Sequence, residues 1–423
     1  MARRTPGLVA LAGALLVLVA VGSSSPWAAL ATDARAQSTS DFQILHSAGQ
    51  GLAEGLDVHD PLVLDRVGQR VGRPLTPFCA ALPLVVGLFG LAGRDFGSAY
   101  ESWLLANIAL GCCAAFALAA CLRRGMSAWL ALALALLAVG LPPSFWHSLA
   151  MNSTNLVALA ALSLAWWSGE RGLLALEGLA LSLAILAKTS PALVLVTMLL
   201  AGRWSTVLWA AAWFVASVGA SVMWLGWEIH VSWFTRVLPV LGYSPVVAPG
   251  RFNNAMHAWN LSPNGLLTRA AAGPGWWAAA GAWVVTALVL MQLWGAVKGS
   301  HSRAKGVARG DVGGLYALSV AGMFLVSSVT WPHHLVLAAI PGVWLLLQGF
   351  ADSEKQRGQL VATLCGLVSW SVLALPLGMF GGGDLQPLDI PLKTGACLVL
   401  FGALVSLYGM TSEVKVDATE KMQ

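Results

Sequence analysis

Apolar stretches long enough to cross a bilayer recur along this chain from residue 7 to residue 410, and that recurrence limits the fold more than any other feature. About 20 apolar residues make one helical crossing, because in hydrocarbon every backbone amide must find its partner within its own segment. The chain has room for about 12 such crossings. Only 10% of its 423 residues are charged and 57% are hydrophobic, too little charge to coat soluble domains of that length. The fold expected is an all-α polytopic membrane protein, which excludes a cytosolic enzyme, a secreted disulfide scaffold and a nucleic-acid module.

The formal charge of +5 does not point to an anionic macromolecule, since Arg3, Arg4, Arg123, Arg124, Lys298, Arg303, Lys305, Arg309, Lys355 and Arg357 all flank apolar spans. They read as topology signals, the Lys and Arg excess of cytoplasmic loops. The six cysteines (Cys79, Cys112, Cys113, Cys121, Cys365, Cys397) lack the spacing of a zinc site or disulfide framework and read as packing residues. Arg3, Arg4, an apolar run and Ala34-Arg35-Ala36 have the outline of a cleavable signal. The run from Gly7 to Ala31 is too long for a signal core, and a retained anchor is expected.

With the basic clusters placed in the cytoplasm, the spans from Arg124 onward close consistently: 127–141, 153–168, 173–187, 190–202, 205–225, 275–297, 312–329, 335–350, 359–378 and 392–410. Before them, 74–93 and 99–121 cannot both cross without putting Arg123 and Arg124 outside. The segment 74–93, with Pro74, Pro77 and Pro83, is expected to be the one that does not. Both termini then lie inside, as a membrane domain over residues 1–410 and a cytoplasmic tail over 411–423. Two long segments remain outside, 32–73 and 226–274, with short turns at 142–152, 188–189, 330–334 and 379–391. In the first, Phe42, Leu45, Gly49 and Leu52 share one helical face, as in a helix lying in the membrane interface.

Polar chemistry collects on that outer side. Asp41 opens the interfacial helix, where a carboxylate acts either as an N-cap or as a general base toward a hydroxyl; the two roles are compatible. Lys188, in Ala187-Lys188-Thr189-Ser190-Pro191, sits between two spans, either snorkelling or seating an anion such as phosphate. His333 and His334 are adjacent and so make a poor chelating pair, but one facing a cavity could donate to a phosphate or a sugar hydroxyl. The segment 226–274 carries Arg236, Arg251, His257 and Asn260-Leu261-Ser262-Pro263-Asn264-Gly265 among tryptophans, a mixture that suits sugars and equally suits a solvated loop with an aromatic belt. Asn152-Ser153-Thr154 and Asn260-Leu261-Ser262 also have the form of glycosylation acceptors.

Taken in order, Asp41-Phe42, Arg73-Pro74-Leu75-Thr76-Pro77, Lys188-Thr189-Ser190-Pro191, Asn260-Leu261-Ser262-Pro263-Asn264-Gly265 and Trp331-Pro332-His333-His334 resemble glycosyltransferase family 87 over roughly residues 8–410. That group of bacterial polyprenol-phosphate-sugar-dependent enzymes has the GT-C fold and includes mycobacterial mannosyltransferases of phosphatidylinositol mannoside synthesis. The resemblance implies a GT-C-like fold with an extracytoplasmic active site, which the count of about 12 transmembrane helices and a place in the plasma membrane accompany as expectations. It implies Asp41 as general base and Lys188 with one of His333 and His334 at the donor phosphate; Arg251 is, apart from the resemblance, a further candidate cation for that phosphate. Asn155, His257, Asn260 and Asn264 are the candidates for the sugar or acceptor, and no metal and no cofactor are expected. Where the family usually has Gly-Gln-x-Asn, this chain has Asn152-Ser153-Thr154-Asn155, so only Asn155 carries over.

The function expected is transfer of one sugar, mannose or another hexose or a pentose, from a polyprenyl-phosphate donor to a lipid or glycan acceptor, by inversion. The partners are that donor, that acceptor and membrane lipids, with no nucleic acid. The alternative class is a multi-pass transporter or flippase of lipid-linked or small anionic substrates, which would instead place its ionisable groups near the midplane. A non-catalytic assembly partner gives no reason for a cationic turn and an acidic helix start on the same side.

Overall fold

The computed structural model describes residues 5–23, 41–60, 63, 66, 81–93, 95–123, 126–241, 260–271, 275–303, 311–350, 357–374 and 389–420. The regular elements those residues form are all helices, with no strand among them. In chain order the helices are α1 (Thr5–Ser23), α2 (Asp41–Ala53), α3 (Pro83–Gly90), α4 (Phe96–Leu122), α5 (Ala128–Gly140), α6 (Pro143–Met151), α7 (Asn155–Glu170), α8 (Leu174–Ala187) and α9 (Ala192–Leu200). They continue as α10 (Trp204–Leu225), α11 (Trp227–Ser232), α12 (Pro263–Ala270), α13 (Trp276–Arg303), α14 (Val312–Val326), α15 (Ala339–Phe350), α16 (Arg357–Ala374) and α17 (Asp389–Glu420). A π-helical turn, Trp233–Val237, follows α11, and a 3-10 turn, Pro332–Ala338, leads into α15.

These bounds follow the apolar runs closely, because a helix in lipid must extend as far as its backbone lacks water. Their ends carry the polar residues that satisfy free amides. Asp95 accepts from Ser98 N at 2.8 Å, Ser262 from Gly265 N at 3.1 Å and Asp311 from Gly314 N at 3.0 Å. By length and composition four described helices can cross a bilayer alone, and five if the pair α5 and α6, bent by 60°, counts as one span. Five further apolar helices are 10–17 residues long. The stretch 142–152, expected as an outer turn, is instead mostly the helix α6, since Pro143 at its first turn has no amide to lose there.

Two ends of the bundle are distinct. At one, Glu177 at the start of α8 accepts from Arg203 Nη2 at 2.7 Å, Thr206 Oγ1 at 2.8 Å and Tyr316 Oη at 3.3 Å, which satisfies a buried carboxylate completely. At the other end lie the starts of α2, α4 and α7 and the close of α8. The described part of 74–93 is the helix α3, whose eight residues reach only about 12 Å. Its far flank returns to α2, where His46 Nε2 and Gln50 Nε2 each stand 2.9 Å from Gly93 O.

α2 is more deeply packed than a helix resting on one apolar face, with Phe42, Gln43, Leu45, His46, Ser47 and Ala48 all buried. Phe42 is ringed by Phe89, Phe96 and Tyr100 at centroid distances of 5.7, 5.4 and 5.4 Å. The backbones of α2 and α3 touch at Gly49 and Gly90, where a Cβ on Gly49 would stand 2.4 Å from Gly90 N. The described parts of the two long segments 32–73 and 226–274 share this end of the bundle, since Asp57 accepts from Ser232 Oγ at 2.7 Å and Asp60 pairs with Arg236 at 2.8 Å. Among the described cysteines none is bonded to another; Cys121 and Cys397 are buried packing residues, and Cys112, Cys113 and Cys365 face outward.

Candidate active site

Asp41, at the first position of α2, faces the 3-10 turn that carries both histidines, and its Oδ2 stands 3.4 Å from His333 Nε2. That separation is within ion-pair reach and longer than a good hydrogen bond, a looseness common before substrate tightens a catalytic contact. In a 3-10 turn successive side chains point about 120° apart, so the neighbouring histidine must face elsewhere. His334 Nδ1 accepts from Trp331 N at 3.3 Å, which leaves the proton of a neutral ring on Nε2. Its ring helps line a small void of about 10 Å³ with Lys188, Ser190, Ser327 and Thr330, room for about one water. The two histidines therefore face different neighbours, His333 the Asp41 carboxylate and His334 the void it lines together with Lys188.

Asn155 joins these groups. It opens α7, its Oδ1 accepts from Lys188 Nζ, and its Nδ2 donates to the His333 carbonyl at 3.3 Å. Ser148 Oγ donates to the same carbonyl at 2.9 Å. The lysine turn is tied to α7 as well, through Thr154 Oγ1 donating to Ala187 O at 3.1 Å. Four segments distant in sequence thus converge: the starts of α2 and α7, the end of α8 and the 3-10 turn.

The electrostatics follow from burial and from these neighbours. Burial, the largest influence on Asp41, acts to raise it, but the charge and hydrogen bond of His333, then Lys188 and His147, outweigh it and hold the carboxyl below the ordinary aspartate value of 3.8. It is ionised at neutral pH and able to accept a proton. Lys188 is pushed by burial from 10.5 down to about 7, with Asp41 pulling the other way.

Asn260 and Asn264 lie elsewhere, on the segment that supports the histidine turn. Asn260 Oδ1 accepts from Thr330 N and Ser262 N, both at 3.0 Å, and both asparagines donate to Ser328 O, at 3.2 and 3.0 Å. Leu261 N reaches Thr330 O at 2.7 Å. Their amides are directed at the backbone that leads to His333 and His334, whereas the sequence offered them for a sugar. Arg251 and His257 fall outside the described residues. Neither Asn152 nor Asn260 suits the glycosylation reading, because both are 0% exposed.

Asn152 also accounts for the departure from Gly-Gln-x-Asn. Its φ of +49° is left-handed, a conformation suited to glycine and tolerated by asparagine. Its side chain fixes that turn by donating to Tyr100 O and accepting from Asn107 Nδ2, each at 2.9 Å. Sequence reasoning missed Ser148 and His147, whose ring centroid lies 5.2 Å from that of His333. The available clue was their place in a proline-started helix just before Asn155.

The sequence model of glycosyltransferase family 87 matches residues 75–328, a stretch that includes Asn155 and Lys188. A similar protein is the polyprenol-phosphate-mannose-dependent alpha-(1-2)-phosphatidylinositol pentamannoside mannosyltransferase of Mycolicibacterium smegmatis, 30% identical over 223 residues. The alignment covers 51% of this chain and 48% of that relative, so the chain spans about half the length of the curated protein it matches.

Proposed function

Since the chain belongs to glycosyltransferase family 87, we propose that it moves one sugar, mannose or another hexose or a pentose, from a polyprenyl-phosphate donor to a hydroxyl of a lipid or glycan acceptor on the extracytoplasmic face. The observation that carries this reading is the meeting of an ionised carboxylate, Asp41 beside His333, with a phosphate seat of Lys188 and the neutral His334 ring, Asn155 tying Lys188 to the histidine turn. A transfer from a lipid phosphate requires those two functions and no nucleotide pocket.

In the proposed reaction the acceptor oxygen attacks the anomeric carbon while the bond from that carbon to the phosphate oxygen breaks. The hydroxyl proton passes to Asp41, and the bonding pair leaves on the phosphate, whose growing charge Lys188 and the Nε2 proton of His334 stabilise. One displacement inverts the anomeric configuration. His333 orients the Asp41 carboxylate, and Asn155 and Ser148 hold the His333 backbone in turn. Arg251 and His257 stay candidates for the phosphate and the sugar. Asn260 and Asn264 are better suited to positioning the histidine turn.

The mannosyltransferase relative supports mannose as the first sugar to test. The test is transfer of radiolabelled mannose from a short-chain polyprenyl-phosphate mannose by purified protein. Asp41→Asn is expected to lower turnover about 10²–10⁴-fold while leaving the detergent-solubilised protein monodisperse. Near-wild-type turnover would remove Asp41 from the mechanism and leave it only a helix cap.

A further inference from the structure

Asp41 and His333 are held by different parts of the bundle. The His333 carbonyl is tied to the turn between α6 and α7, because Ser148 and Asn155, on either side of that turn, both donate to it. Asp41 is carried by α2, whose backbone lies on α3 at Gly49 and Gly90. The carboxylate and the imidazole stand 3.4 Å apart, too far for the pair to fix its own spacing. That spacing is set by whatever joins α2 to the α6–α7 turn.

α4 makes the connection. Tyr100, Trp103 and Asn107 fall on one face of this helix, at i, i+3 and i+7, and all three grip the turn. Tyr100 Oη donates to Ala150 O at 3.2 Å, Trp103 Nε1 to Asn152 O at 3.0 Å and Asn107 Nδ2 to Asn152 Oδ1 at 2.9 Å. The left-handed Asn152 in return donates to Tyr100 O at 2.9 Å. Tyr100 also touches α2, where its ring meets that of Phe42, the chain neighbour of Asp41, edge to face at 5.4 Å. Tyr100 is 1% exposed and Phe42 0%, so a shift of one ring is passed to the other.

We infer that Tyr100 is a positioning residue of the transfer reaction: with its hydroxyl on the α6–α7 turn and its ring on Phe42, it sets the distance of Asp41 from His333. The inference rests on the reading of Asp41 as general base and adds to it a residue that acts through that base without touching substrate.

The experiment separates positioning from packing by working in two backgrounds. Tyr100→Phe keeps the ring and removes the hydroxyl. In the otherwise wild-type protein it should lower kcat for mannose transfer from a short-chain polyprenyl-phosphate mannose about tenfold with the donor KM held, because a displaced base costs rate rather than binding. In an Asp41→Asn background the same substitution should cost nothing further, since residues that act as one unit are not additive. An equal loss in both backgrounds, or no loss in the first, overturns the inference and makes Tyr100 a packing residue. Asn152→Gly keeps the left-handed turn and releases Tyr100 O, so it should repeat the pattern and serves where the tyrosine variant does not purify.

A second readout needs no turnover. A carbodiimide reacts with the protonated form of Asp41, and peptide mass spectrometry of the adduct across pH gives the midpoint of its titration. Burial raises that midpoint while His333, Lys188 and His147 lower it, so a carboxylate that stands farther from His333 should titrate at higher pH in Tyr100→Phe. A midpoint that does not move overturns the inference and leaves the transferase reading intact. A midpoint that moves in a protein that transfers no sugar supports the positioning and refutes the transferase reading.

Discussion

Donor binding should depend on pH through Lys188, and the size of the effect follows from its burial. With its pKa held at about 7, the lysine of the free protein is about nine-tenths charged at about pH 6 and about one-tenth charged at about pH 8. A bound phosphate favours the charged form, so affinity is full below the free protein's pKa and is lost as pH rises through it. The apparent dissociation constant is the intrinsic one divided by the competent fraction, which predicts weakening of about tenfold across that interval. The phosphodiester keeps its single charge throughout and contributes no slope. The assay is calorimetric titration with a non-transferable phosphonate analogue of the donor, in two buffers of different ionisation enthalpy, so that the proton taken up with the ligand is counted. Lys188→Arg is the control, because a guanidinium stays charged and should flatten the profile. Asp41→Asn removes the carboxylate that raises Lys188 and should move the midpoint to lower pH. A wild-type affinity that stays flat from about pH 6 to about pH 8, or an arginine variant with the same slope, would refute Lys188 as the titrating phosphate seat.

Two other outcomes test the frame around the site. Gly49→Ala puts a methyl into the backbone of α3 and should cost about 1–3 kcal/mol; an unchanged thermal melt in detergent would mean that the contact with Gly90 is dispensable. A single cysteine at Glu54 should react with a membrane-impermeant thiol reagent on intact cells and one at Ser300 should not, in a cysteine-free background; the reverse pattern would put the site on the cytoplasmic face.

The helices themselves were largely legible in the chain. Apolar length marks them because an unpaired amide is so costly in hydrocarbon that a span must stay helical wherever its side chains are apolar. Expected spans such as 205–225 and 392–410 reappear as α10 and within α17. Asp41, Lys188 and the histidine pair were legible for a related reason, since polar residues at the ends of apolar spans stand out against their surroundings.

What the sequence alone determined, then, was a helical membrane chain with its candidate polar groups gathered at span ends. Pairing those groups required the tertiary structure. The adjacency of His333 and His334 could not say that one stands beside Asp41 while the other lines a void shared with Lys188; the turn that carries them decides it. Asn260 and Asn264 resembled sugar ligands until the loop at Ser328 occupied their amides. Asn155 acquired its place as the bridge between lysine and histidine turn only when α7 and α8 packed against that turn. The physical reason is one of range. Burial in lipid acts on each residue from its own side chain and can be read locally, whereas a hydrogen bond depends on which distant segment arrives within about 3 Å.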